Sequence, residues 1–128
     1  MSEREQWPGG VGVVGAGLMG TGIAAVFAAS GMAVLLHDTD SERLERAPQE
    51  LRRIADELHA ADLLSADAAA ALPGLVRGSM ALRDLVGRPF VLEAVPEQVT
   101  IKRAVYVALE SVLAADAIIG SNTSGLMP

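Results

Sequence analysis

Val11-Gly-Val-Val-Gly-Ala-Gly-Leu-Met-Gly20 opens with a short apolar, valine-rich run and passes directly into a turn with glycine at positions 15, 17 and 20. The run suits a strand buried on both faces, as in a parallel sheet covered by helices. Leu18 to Ser30 then carries Ile23, Val26 and Phe27 at helical spacing among alanines, and Gly31 stands where a cap glycine ends a helix. Ala33 to His37 reads as a second buried strand ending at Asp38. Strand, glycine turn, helix and strand, with an acid closing the second strand, form the start of a βαβ unit.

Each glycine has a physical task in such a turn. Gly15 permits the tight bend, Gly17 removes a side chain that would block an approaching phosphate, and Gly20 lets the helix pack closely. Within the Gly15-Ala16-Gly17-Leu18-Met19-Gly20 turn, backbone N–H groups around Leu18 and Met19, with the positive end of the helix dipole, then favour a pyrophosphate. Asp38 lies 18 residues beyond Gly20. There it can accept from both hydroxyls of an adenosine ribose while repelling a 2′-phosphate, which selects NAD over NADP. The same residue also suits a turn or helix cap in Asp38-Thr39-Asp40-Ser41, and a glycine turn of this form also serves FAD. Arg43 stands too far along the chain to sit obviously beside that ribose, although a place there stays open to it.

From Val11 to Leu36 there is no charged residue, a length that hydropathy alone would read as a membrane span. Six glycines at 12, 15, 17, 20, 22 and 31, and an acidic rather than basic lead, favour a buried strand, turn and helix instead. Composition agrees. The 128 residues are 51% hydrophobic but only 3% aromatic, with no cysteine and a net charge of −6. A chain of this size buries about two-thirds of its unfolded surface, enough for one core. Scattered arginines among sixteen acids argue against nucleic acid or an anionic membrane as partner, and the lack of cysteine excludes disulfides and thiolate zinc sites. A small-molecule ligand and a cytoplasmic setting fit, and no metal site is expected.

Further along, strand and helix keep alternating. Residues 1–10 read as a disordered lead outside the fold. Ser41 is placed to cap a helix carrying Leu44, Ala47, Leu51, Ile54 and Leu58 on one face, with Pro48 expected to kink or break it. Ser65 begins a second helix closing at Pro73-Gly74, so the two resemble a helical hairpin projecting from the sheet. Short elements are expected at Leu75 to Gly78 (strand), Leu82 to Val86 (helix) and Phe90 to Ala94 (strand). Pro96 then opens a loop, Thr100 to Leu113 has the pattern of an amphipathic helix, and Ala117 to Gly120 that of a last strand. The class is therefore α/β, a Rossmann-type doubly wound parallel sheet with a helical-hairpin insertion, its ligand at the carboxyl ends of the strands.

The Val11 to Gly20 segment with Gly22-Ile-Ala, Val34-Leu-Leu-His-Asp38, Leu92-Glu-Ala-Val-Pro-Glu97 with Lys102 beyond it, and Ser121-Asn-Thr-Ser124 together resemble the NAD-binding domain of the 3-hydroxyacyl-CoA dehydrogenase family over nearly the whole chain from Val11. The resemblance implies that the Ala94-Val95 backbone, Glu97 and Lys102 line the nicotinamide half of the site. It implies that Ser124 contacts the substrate 3-oxygen and the nicotinamide, with Asn122 orienting the same loop. Lys102 is the single lysine beside nine arginines. The substrate it implies is a 3-hydroxyacyl thioester of fatty acid metabolism, on CoA or an acyl carrier protein, with a homo-oligomeric complete protein. Arg52 and Arg53 can reach CoA phosphates, although Asp56 and Glu57 beside them suit an ordinary charged helix face. The family's catalytic histidine and its partner glutamate lie beyond the Ser-Asn-Thr-Ser segment, and neither His37 nor His59 matches that position. The 128 residues are thus expected to be a fragment, truncated before the last strands and the helical domain. Other β-hydroxy-acid dehydrogenases and a non-catalytic NAD-binding or interaction module remain as alternatives.

Overall fold

A computed structural model of the chain describes residues 10–94 and 118–121. Strands β1 (Val11–Val14), β2 (Val34–His37), β3 (Val76–Ser79), β4 (Phe90–Glu93) and β5 (Ile118–Ser121) form one sheet in the order β3-β2-β1-β4-β5, with every pairing parallel. The chain runs outward from β1 to β3 on one side and resumes on the other side with β4. The carboxyl ends of β1 and β4 therefore flank the topological switch point, where open α/β sheets bind their ligands.

Helix α1 (Leu18–Ala29) follows the glycine turn, and α2 (Ser41–Ala60) and α3 (Ala66–Ala71) form the hairpin after β2. Side chains alternate between the two faces of the sheet. Val11, Val13, Val34 and Leu36 join Ala24, Ala25 and Ala28 of α1 with Ala47, Leu51 and Ala55 of α2 in the main core. Val14, Leu35 and Val91 pack on the opposite face with Leu85, from a 3₁₀ turn at Leu82–Leu85. Alanine dominates the α1 face because small side chains let a helix lie close to a sheet of valine and leucine.

Several local expectations are corrected. Gly10, assigned to the lead, is buried against the backbone of Ala33 and belongs to the fold. The cap of α2 is Asp40, whose Oδ1 accepts from the Glu42 amide at 2.9 Å, and Ser41 is the first helical residue. Pro48 lies inside α2, which continues through it, so the break that it could have caused does not occur. It removes one backbone donor on the exposed side, while Ala47, Leu51 and Ala55 anchor both flanking turns to the core. The hairpin does not project freely, since Ala69 and Leu72 lie in the same core as the buried face of α2. Ser65 caps α3 as expected, its Oγ accepting from the Ala68 amide at 3.1 Å. The short helix expected at Leu82 to Val86 is present as a single 3₁₀ turn, Leu82–Leu85. The expected 1–9 lead, the Pro96 loop and the 100–113 helix lie outside the described residues. Among the described residues, no helix is long and apolar enough to cross a membrane.

Candidate functional site

The glycine turn sits at the switch point. Gly15 takes a φ of +108°, a conformation that a side chain would strain, and its amide donates to the His37 carbonyl at 2.7 Å. A Cβ on Gly20 would stand 1.7 Å from the Gly15 carbonyl oxygen, so the first turn of α1 presses directly on the bend. A Cβ on Gly17, by contrast, would meet nothing within 4 Å. Gly17 is the N-cap of α1, and no side chain caps that terminus. The turn therefore presents a helix N-terminus across an open glycine surface, the arrangement that accepts a phosphate.

Ala16 holds the bend together. Its carbonyl accepts from Thr21 Oγ1 at 3.1 Å, and its amide donates to Asp38 Oδ2 at 2.8 Å. That second bond ties the glycine turn to the end of β2 across 22 residues. Asp38 Oδ1 accepts from the Asp40 amide at 2.9 Å, and Arg43 Nη1 lies 3.5 Å from Oδ2. Asp38 is only 6% exposed. Burial pushes its pKa up, but the Ala16 and Asp40 amides and the Arg43 guanidinium outweigh that and hold the carboxyl below its ordinary value. It is thus a fixed anion at the rim of the turn. Its turn and cap contacts do not displace a ribose role, because a carboxylate offers about four lone-pair directions.

The Ala94 amide donates to the Val14 carbonyl at 2.7 Å, which brings the end of β4 beside the turn. The Ala94 Cβ would lie 3.5 Å from a Cβ on Gly20. Gly15, Ala16, Gly17, Leu18, Met19, Gly20, Asp38 and Ala94 therefore converge on one end of the sheet, with the Leu18 and Met19 side chains exposed. Val95, Glu97, Lys102, Asn122 and Ser124 lie outside the described residues. Arg53 is held between Glu50 and Glu57 on the helix surface, so the charged-face reading describes it. His59, exposed, places Nδ1 2.9 Å from the Leu64 carbonyl and clasps the hairpin turn.

The approach of Arg43 and the surroundings of the His37 ring go beyond what the sequence indicates. Arg43 reaches back from the first turn of α2 to Asp38, a place that its distance along the chain made less obvious. His37 is buried beside Asp38, and its Nδ1 has no hydrogen-bond partner among the described residues. Burial lowers the His37 pKa, only partly opposed by Asp38, the Ser79 carbonyl and Asp84.

The chemistry of these groups suits NAD: the open Gly17 surface and the α1 terminus would accept a pyrophosphate, and the Asp38 carboxylate would accept from ribose hydroxyls. Comparison with known proteins bears on the same point. Residues 10–128 match the model of the family described as 3-hydroxyacyl-CoA dehydrogenase, NAD binding domain. The chain is 35% identical over 115 residues to a probable 3-hydroxybutyryl-CoA dehydrogenase of Deinococcus radiodurans, covering 90% of this chain and 41% of that protein. It is 33% identical over 117 residues to the 5-formyl-3-hydroxy-2-methylpyridine 4-carboxylate 5-dehydrogenase of Mesorhizobium japonicum, covering 91% and 37%. The crystal structure of (S)-3-hydroxybutyryl-CoA dehydrogenase from Ralstonia eutropha superposes with a TM-score of 0.83 at 29% identity, covering 91% of this chain and 41% of that one. The chain spans about two-fifths of the length of these relatives. It belongs to the 3-hydroxyacyl-CoA dehydrogenase family, as its NAD-binding domain.

Proposed function

We propose that the protein containing this domain is an oxidoreductase that moves a hydride between NAD and C3 of a 3-hydroxyacyl thioester. The observation that carries the cofactor half is the 2.8 Å bond from the Ala16 amide to Asp38. It locks the pyrophosphate turn and the ribose carboxylate into one rigid unit, so the dinucleotide meets a preformed surface. NAD, when bound, supplies the hydride acceptor. The residues of the chain bind and orient it: Gly15 to Gly20 beneath the pyrophosphate, Asp38 at the adenosine ribose, and the Ala94-Val95 backbone toward the nicotinamide.

By resemblance, Glu97 holds ribose hydroxyls and Lys102 approaches a ribose or phosphate oxygen. Ser124, oriented by its loop partner Asn122, donates to the substrate 3-oxygen; a hydroxyl suits this place because it donates to a ketone and accepts from an alcohol. CoA is the proposed carrier, with acyl carrier protein as the variant, in a cytoplasmic homo-oligomer. The Mesorhizobium relative, whose name specifies a formyl pyridine carboxylate rather than a thioester, favours a second reading in which the substrate is not a thioester, such as a free 3-hydroxy acid.

The complete protein, mixed with NAD and (S)-3-hydroxybutyryl-CoA, is expected to form NADH, and Lys102→Ala to weaken NAD binding. NADH formed from a non-thioester hydroxy acid alone transfers the assignment to the second reading. NAD binding without turnover of either marks a non-catalytic module.

A further inference from the structure

Arg43 occupies an unusual place for a cation beside a carboxylate that selects an unphosphorylated ribose. Its Nη1 lies 3.5 Å from Asp38 Oδ2, and its Nε lies 3.7 Å from Asp40 Oδ2. The Arg43 side chain is 47% exposed while Asp38 is 6% exposed, so the guanidinium reaches inward from solvent onto the carboxylate. The neighbouring charges are accounted for. Asp40 uses Oδ1 to cap α2, and Glu42 turns away to Arg46 at 3.3 Å. A ribose oxygen hydrogen-bonded to Asp38 Oδ2 stands no more than about 6 Å from Arg43 Nη1, one hydrogen-bond length beyond the ion-pair separation. A phosphate on that oxygen extends further, well within the sweep of a half-exposed arginine, whose fork matches phosphate oxygens.

We propose that Arg43 is a specificity-determining residue of the adenosine-ribose site: Asp38 reserves the site for a free 2′-hydroxyl, and Arg43 is the cation that a 2′-phosphate meets once the Asp38 charge is removed. The proposal rests on the reading of Asp38 as the ribose ligand. In the native protein Arg43 neutralises part of the Asp38 and Asp40 pair and softens the rejection of NADP. A single charge change at Asp38 then converts a repelling rim into an accepting one, because the phosphate partner is already in place. Asp40 stays beside Arg43 in that variant and limits the gain, so the site becomes permissive rather than selective for NADP.

The test is calorimetric titration with NAD and with NADP of the wild type, Arg43→Ala, Asp38→Asn and the double variant. The native protein is expected to prefer NAD. Arg43→Ala should widen that preference about tenfold, the effect of one lost partly screened guanidinium–phosphate contact. Asp38→Asn, which keeps one acceptor oxygen for the Ala16 amide, should bring the two affinities to near equality, and adding Arg43→Ala should cancel the gain. A preference ratio in Arg43→Ala within twofold of wild type overturns the proposal. It does so whether or not the Asp38 variant folds, because Arg43 is half exposed. Arg43-independent gain of NADP binding in Asp38→Asn overturns it equally. Failure of the wild type to bind NAD would instead remove the ribose reading beneath it.

Discussion

Gly17→Ala and Gly20→Ala add the same methyl group three residues apart and should fail in opposite ways. At Gly20 the new Cβ falls 1.7 Å from the Gly15 carbonyl oxygen and 2.8 Å from its carbon. Both are backbone atoms of a bend that is bonded to the His37 carbonyl, so no flexible side chain can move aside. The first turn of α1 must shift from the sheet, at an overpacking cost of about 3 kcal/mol. For a chain of this size that lowers Tm by about 10 °C or more. At Gly17 the Cβ enters open space and the backbone is extended, with φ −70° and ψ −172°, which alanine adopts freely. The lower entropy of unfolded alanine and its poorer N-capping roughly offset, leaving stability within about 1 kcal/mol of wild type. The methyl then projects over the helix terminus where the pyrophosphate approaches, and NAD affinity should fall at least about tenfold. Thermal unfolding by circular dichroism and calorimetric NAD titration on both variants read the two effects separately. A Gly20→Ala protein that melts within about 2 °C of wild type, or a Gly17→Ala protein that binds NAD normally, would refute the reasoning.

Acid should destabilise the fold in two stages. His37 has a lowered folded pKa, so its contribution is present above the unfolded value of about 6.5 and is lost as pH falls below it. Asp38 also has a lowered folded pKa, so its contribution is present above about 3.9 and is lost as pH falls through its folded value. Urea unfolding across this range should show His37→Leu flattening the first stage and Asp38→Asn the second; unchanged pH profiles would contradict the assignments. Pro48→Ala restores a backbone donor inside α2 and should raise stability by about 1–3 kcal/mol, seen as a higher denaturation midpoint. A lower midpoint would show that the proline ring itself packs favourably.

The β1, turn, α1 and β2 unit was legible because its signals agree: a buried apolar run, three glycines with distinct tasks, and a charge only where the strand ends. The place of Asp38 at the end of β2 is legible for the same reason. Arg43 is not, because its approach to Asp38 depends on where α2 begins. Asp40 and Ser41 are both good caps by residue type, and the choice falls to Asp40 because its amide is bonded to Asp38 Oδ1. That bond sets the direction of the first helical turn and swings position 43 back over the carboxylate. Pro48 does not break α2 for the opposite reason, since a local helix breaker is outweighed by burial of Ala47 and Leu51 on either side. The hairpin shows in the sequence but its burial does not, because alanines at 47, 55 and 69 give little periodic contrast in a chain already rich in alanine. The buried Thr21, whose hydroxyl braces the Ala16 carbonyl, carried a weak signal as the one polar side chain between Gly20 and Ala29.

The most direct test of the central claim is a crystal structure of the protein with NAD bound. The account predicts the pyrophosphate against Gly17 and the α1 N-terminus, and the adenosine ribose hydroxyls on Asp38 with its bond to the Ala16 amide intact. A dinucleotide bound away from the Gly15 to Gly20 turn, or a ribose with no contact to Asp38, would contradict it.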